Sequence, residues 1–286
     1  MHYRPDRRWF SGIRIAVSIA FVLASVGCGL PMGPLQARST DTWTRSYQLS
    51  RTGQVSISNI NGRIVVEGVD SSTVDVSAER IARGATDQLA SELLKRITIS
   101  DQSTPDSVSV RTEKLEGILI GASFEVRYHV KVPKTATIQA TTVNGGIEAS
   151  DLTGRFVARA TNGGIGGRGL SGGVEARVVN GGVRIQLAAV GNDEVVLSTV
   201  NGGVRLGLPN TAKATISANW VNGGLRRSGL DLTVRDDSRR HFEGQLNGGG
   251  TTVTLSTVNG GIAIAPSSED FSKDDSDGSK VEKLAQ

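Results

Sequence analysis

Three arginines, Arg184, Arg205 and Arg226, each stand four residues after the asparagine of an Asn-Gly pair. A guanidinium is a permanent cation that grips phosphate, sulfate or carboxylate through paired donors. Three of them at one repeat position form a candidate anion-binding stripe, with Glu148 holding the same slot in an earlier copy. The competing reading is solubilising side chains whose stems cover apolar surface. Acid–base chemistry has little to build on. Hydrolysis of a glycosidic bond needs two carboxylates about 5–9.5 Å apart, and Glu148, Glu175, Asp193 and Glu194 share no repeat position. His129 and His241 have no Gly-x-Ser-x-Gly partner. Three histidines and one cysteine supply no metal cage. Gly164-Ile-Gly-Gly-Arg-Gly169 has the spelling of a dinucleotide loop, but it lies among strand repeats with no acidic residue about 20 positions on. Asp274 to Gly278 spells part of a calcium loop, yet Lys273 and Leu284 fall where carboxylates are needed. Trp220 could be a sugar platform or an inward filler. The expectation is a chain without catalytic residues, cofactor or metal.

The elements that hold these residues are set by a repeat. Asn-Gly recurs at Asn61, Asn144, Asn162, Asn180, Asn201, Asn222, Asn247 and Asn259, with a second glycine in all but the first. These sites hold 15 of the 36 glycines, so the glycine is turn punctuation rather than general looseness. From Asn144 to Asn222 the spacings are 18, 18, 21 and 21 residues, the mark of a repeat architecture. Apolar residues precede the asparagine (Val143, Val179, Val200, Val221, Val258) and follow it three positions on (Ile147, Ile165, Val183, Val204, Ile262). Four positions before it stand Ala140, Ala158, Ala176, Leu197, Ala218 and Leu255. This alternation predicts short strands with one buried face, two strands and two turns per period.

Two all-β folds satisfy the pattern. In an antiparallel β-meander every turn closes a hairpin. In a repetitive, parallel β-helix-like β-solenoid every turn is a corner, and Asn144, Asn162, Asn180, Asn201, Asn222 and Asn259 are structural turn residues whose amides bond from rung to rung. Small inward alanines and easily absorbed three-residue insertions favour the solenoid. Sequential stacking would bring Arg184, Arg205 and Arg226 together at about 4.8 Å intervals. One helix is expected at Thr86 to Arg96, where Leu89, Ala90, Leu93, Leu94 and Ile97 make an apolar stripe. Strands are expected at 73–77, 107–112 and 123–132, with an early turn copy within 54–68. The domain spans 38–265, its regular repeats 135–265, and 266–286 reads as a disordered polar tail.

Residues 1–37 read as an export signal and short linker: Arg4, Arg7, Arg8 and Arg14 precede an apolar run from Ile15 to Val26. Two exits are open. Val26-Gly27-Cys28 resembles a bacterial lipoprotein processing site, with Ser25 departing from it, and would leave a lipid on Cys28; otherwise cleavage follows Ala37. Arg7-Arg8-Trp9-Phe10 also resembles a twin-arginine signal, but Asp6 stands where a hydroxyl residue belongs. The whole chain carries a formal charge of +4 and the part after residue 37 only +1. That balance gives no reason to expect a nucleic acid partner.

The order of parts from Val74 to Ala265 resembles the bacterial adhesin-type β-strand-repeat family, an envelope domain of unknown function related to head-GIN adhesin domains. The resemblance rests on the helix at 87–96, Val108-Ser-Val-Arg111, Val126-Arg-Tyr-His-Val130 leading into Val132-Pro-Lys134, and the repeated Val-Asn-Gly, Leu152-Thr-Gly and Leu170-Ser-Gly turns. It implies a non-catalytic β-repeat domain at the cell envelope, membrane-anchored, periplasmic or extracellular, and no catalytic residues to carry over. Partners in keeping with it are an anionic envelope polymer, a lipid headgroup or a protein. The alternatives are an envelope-stress regulatory protein that contacts membrane or partner proteins, and a polysaccharide-active β-helix enzyme.

Overall fold

The computed structural model describes residues 37–117 and 121–269. The segment read as an export signal, with Cys28, and the stretch beyond Glu269 lie outside the described residues. The chain begins with strands β1 (Ala37–Gln48), β2 (Gln54–Asn61), β3 (Ile64–Val69) and β4 (Thr73–Gly84). Helix α1 (Asp87–Arg96) follows, then β5 (Ile99–Thr104), β6 (Ser107–Thr112) and β7 (Ala122–Pro133). Pairs of strands then flank successive Asn-Gly sites. They are β8 (Thr137–Asn144) and β9 (Ile147–Ser150), β10 (Phe156–Asn162) and β11 (Ile165–Leu170), and β12 (Val174–Asn180) and β13 (Val183–Leu187). Next come β14 (Val195–Asn201) and β15 (Val204–Leu208), and β16 (Ala214–Asn222) and β17 (Leu225–Arg227). Last are β18 (Leu232–Ser238), β19 (His241–Leu246), β20 (Thr251–Asn259) and β21 (Ile262–Pro266).

Among the described residues the fold is all-β, with two large mixed sheets and one short helix. The ten-stranded sheet runs β1-β4-β7-β3-β9-β11-β13-β15-β21-β17, and the eleven-stranded sheet runs β18-β19-β16-β20-β14-β12-β10-β8-β2-β6-β5. At every Asn-Gly site but Asn247 the two flanking strands lie in different sheets, so these sites pass the chain from one sheet to the other. Equivalent strands pair in parallel and in register, with Ala158 on Ala140 and Ala176, and Asn162 on Asn144 and Asn180.

The core lies between the sheets and is built from small aliphatic side chains. One repeat buries Val174, Ala176, Val178, Val183, Ile185 and Leu187, and each fully buried valine, leucine or isoleucine stabilises by about 1.5–3 kcal/mol. Inward polar residues are satisfied locally: the Thr199 and Thr257 hydroxyls donate to the carbonyls of Gly181 and Gly202 at 2.7 and 2.9 Å. At every site but Asn247 the alternation puts the residue four before the asparagine inside and turns the residue just before it outward. Val143, Val179, Val200, Val221 and Val258 are accordingly 39–46% exposed and form an apolar row along one side of the Asn-Gly corners.

Both ends of the stack are closed by non-repetitive elements. At one end β7 joins the ten-stranded sheet parallel to β3, β4 and β1 continue it in antiparallel fashion, and α1 packs on them. The helix starts where its sequence says it should: the Thr86 side chain caps Leu89 N–H at 3.2 Å, and Ala90, Leu93 and Leu94 are buried. At the other end β19 runs antiparallel to β16. Trp220 is only 8% exposed, so it fills the inward slot and is no sugar platform. Phe242 is buried beside it on the paired strands, with Arg227 stacked over the ring at 4.4 Å.

The rungs do not stack in chain order. β20 pairs with both β14 and β16, and β21 with both β15 and β17, so the last Asn-Gly rung sits between the rungs of Asn201 and Asn222. The 37 residues from Asn222 to Asn259 contain β18 and β19, which occupy the outer edge of β16 and send the chain back inside it.

Candidate anion-binding groove

The asparagines of the corners form a continuous ladder. Each amide Nδ2 donates to the Oδ1 of its neighbour: Asn144 to Asn61, Asn162 to Asn144, Asn180 to Asn162, Asn201 to Asn180, Asn259 to Asn201 and Asn222 to Asn259, all at 2.8–2.9 Å. The backbone donates the opposite way, from Gly62, Gly145, Gly163, Gly181, Gly202 and Gly260 N–H to the carbonyl of the next asparagine at 2.7–2.9 Å. Asn144, Asn162, Asn180, Asn201, Asn222 and Asn259 are thus joined side chain to side chain along one row. Asn247 stands apart. Its backbone is left-handed (φ 51°), and its amide donates to the carbonyls of Asn210 and Ala212 at 2.8 Å.

Along the ladder the two glycine positions after the asparagine differ. The first has positive φ, from 119° at Gly62 to 158° at Gly260. A Cβ there would lie about 1.8–2.3 Å from a carbonyl oxygen (Val126 O at Gly62, the neighbouring rung's glycine elsewhere), so only glycine fits. The second glycine is not forced in this way. A Cβ on Gly146, Gly164, Gly182 or Gly203 would meet the next carbonyl at 3.3–3.4 Å, and Arg63 holds this place in the first copy. The second glycines leave a strip of bare backbone beside the ladder.

That strip is one margin of a groove of about 760 Å³ across β3, β9, β11, β13 and β15. Its outward side chains come from the positions four and six after asparagine, with Arg63 added from the position two after Asn61. Among the described residues Arg63, Arg168, Arg184 and Arg205 line it with one carboxylate, Glu148, and Gln186 among them. Gly166 leaves a notch in the middle, and Glu148 leans over it: a Cβ on Gly166 would meet the carboxylate at 3.2 Å. The groove is thus concave, small-floored and rich in arginine, with Arg184 and Arg205 one strand spacing apart, about 4.8 Å.

The stripe expected from the sequence is only partly assembled. Arg184 and Arg205 are direct partners in register. Arg226 is not their neighbour, because Ala263 of the inserted rung pairs with Arg205 on one side and Arg226 on the other. Arg226 lies outside the groove lining, whereas Arg63 and Arg168, which the stripe omitted, belong to it. The signal for Arg168 was in the chain, six residues after Asn162 where Gln186 stands after Asn180. Arg63 was marked by being the one residue that replaces a second glycine.

The acidic residues weighed for hydrolysis are dispersed: Glu148 is on the ten-stranded sheet and Glu175 on the eleven-stranded one. Glu175 is a structural carboxylate. The Arg177 side chain donates to it at 3.0 Å, with Arg155 and Arg159 also paired to it, and the Arg177 hydrogen bond leads in holding it below the usual carboxylate range. His129 approaches Glu67 at 3.6 Å, and His241 Nδ1 lies 2.8 Å from Asn219 Oδ1. Gly164 to Gly169 runs into strand β11, with no helix behind it. No cluster of metal ligands occurs among the described residues, and none of their helices is long and apolar enough to cross a membrane.

No protein-family model matches the sequence. No curated protein matches it either. Solved structures similar to the chain include a candidate cell-adhesion protein from Clostridium sporogenes, 11% identical over 80% of this chain and 100% of that one, with a TM-score of 0.40. A candidate adhesin from Bacteroides fragilis is 7% identical over 79% and 97% (TM-score 0.29), and a candidate lipid-binding protein from Parabacteroides distasonis 9% identical over 79% and 96% (TM-score 0.29).

Proposed function

We propose that this chain is a non-catalytic cell-envelope binding module whose two sheets are the faces of a β-solenoid, and that it holds an anionic envelope ligand, polymer or lipid headgroup, in the groove over β9, β11 and β13. The observation that carries this reading is the groove itself: four arginines against one glutamate around a glycine-floored cavity of about 760 Å³, a volume typical of ligand sites. Parallel pairing of equivalent strands and the asparagine ladder support the solenoid. Export by the N-terminal segment, with a lipid on Cys28, would put such a module where anionic polymers and headgroups are found.

The test is calorimetric titration with short-chain polyphosphate and, separately, with phosphatidylglycerol vesicles. The expected result is binding that weakens as salt rises, and a loss of at least about tenfold in affinity in the Arg63→Ala/Arg168→Ala/Arg184→Ala/Arg205→Ala chain. Removing two or more charge-assisted contacts is worth that much. Arg226→Ala is the control and stays within about twofold of the parent. Equal binding by the quadruple variant would exclude the groove as the anion site.

A further inference from the structure

The chain returns to the groove at its C-terminal end. After β21 it turns back over the outer face of the ten-stranded sheet. Ser267 N–H donates to Leu208 O at 2.8 Å and Glu269 N–H to Pro266 O at 3.0 Å. The outer face is small at this point, with Gly207 and Ala265 at the outward positions of β15 and β21, and both are buried. Glu269 is then fixed at two points: Gln186 donates to its backbone carbonyl at 3.1 Å, and the Ser228 hydroxyl donates to its carboxylate at 3.1 Å. Gln186 is one of the groove's own lining residues, so the described chain ends at the groove wall.

The next stretch of sequence is acidic. Residues 270–277 read Asp-Phe-Ser-Lys-Asp-Asp-Ser-Asp, four carboxylates against one lysine. Eight extended residues reach up to about 28 Å, while the step from β13 across β11 and β9 to β3 is three strand spacings, about 14 Å. Length, starting point and charge all match the cationic groove.

We propose that the segment Asp270 to Asp277 is the groove's intramolecular occupant, an acidic mimic that an external polyanion must displace. Opposite charge holds it at a high effective concentration set by the short tether, and the arrangement is sensitive to salt. It accounts for an acidic run placed directly after the groove-anchored Glu269 in a chain whose part after residue 37 is nearly neutral overall. The inference rests on the groove being an anion site.

Two measurements keep the inference separable from that reading. In the first, full-length chains are titrated with short-chain polyphosphate. The Asp270→Asn/Asp274→Asn/Asp275→Asn/Asp277→Asn chain binds about tenfold more tightly than the parent, because no internal competitor remains. Binding by both chains with equal affinity would overturn the inference and leave the groove reading intact. In the second, a fluorophore on Ser276→Cys in a Cys28→Ser background reports the segment without any ligand. Its anisotropy falls when Arg184→Ala/Arg205→Ala is introduced. An unchanged value would overturn the inference even if neither chain binds polyphosphate, an outcome that would count against the groove reading alone.

Discussion

At the residue scale the corners explain the sequence most fully. The Asn-Gly pair was legible as a turn, and its amide ladder could be expected because an amide both donates and accepts along a stack. The division of labour within the motif was not legible. In the ladder the left-handed backbone falls on the first glycine rather than the asparagine, since the close approach of the neighbouring rung leaves no room for a Cβ. Gly202→Ala, whose Cβ would lie 2.1 Å from Gly181 O at φ 151°, is expected to cost at least about 3 kcal/mol in urea melts. Gly203→Ala, at 3.3 Å from Gly261 O without positive φ, should stay within about 1 kcal/mol of the parent. Equal losses at the two sites would refute the distinction. A second prediction concerns Tyr128. Its buried hydroxyl bonds Thr112 at 2.7 Å, and Thr112 donates to Asn59 at 2.9 Å. Burial pushes the phenol up to about 12, above the ordinary value near 10. A raised phenol favours the folded protein while it stays neutral. That contribution is whole below pH 10 and is lost as pH rises from about 10 to 12. The fall in stability across that window should be smaller in Tyr128→Phe, measured by urea melts at each pH.

At the scale of elements, the helix and the repeat strands follow from local signals, and the order of the rungs does not. Thr86 as cap and the apolar stripe of α1 are contained within eleven residues, so they can be read from the sequence. The 37-residue gap between Asn222 and Asn259 announces an insertion, but not the edge to which the chain returns. In the structure β16 and β19 stand outside β20, with Trp220 and Phe242 buried on them, a long-range arrangement that local signals do not encode. The same arrangement splits Arg226 from Arg184 and Arg205. It can be checked with paired cysteines on a Cys28→Ser background. Ser198 and Ser256 are direct partners on β14 and β20, so Ser198→Cys/Ser256→Cys should be joined by a cross-linker of about 5 Å, matching one strand spacing. Ser198→Cys/Asn219→Cys, two spacings apart, should not. Cross-linking of the second pair alone would mean that the rungs stack in chain order.

Across the whole molecule the glycine-rich composition resolves into two uses. Some glycines permit the corners, and others keep a margin of the arginine-lined groove bare. Charge was the part of the site least legible from composition, because a near-neutral chain conceals four arginines gathered on one face and four carboxylates gathered in one short segment. Gathering them requires knowing which strands adjoin, and the sequence states that only for rungs consecutive in the chain. Entry of anions into this groove is tested most directly by titrating the ¹⁵N-labelled protein with short-chain polyphosphate and following backbone amide shifts. Binding in the groove would move the amides of Gly164, Gly166 and Gly182 together with those of Arg184 and Arg205, leaving Glu175 and Arg177 on the other sheet unmoved. Shifts centred on Glu175 and Arg177, or none at the glycines, would contradict it.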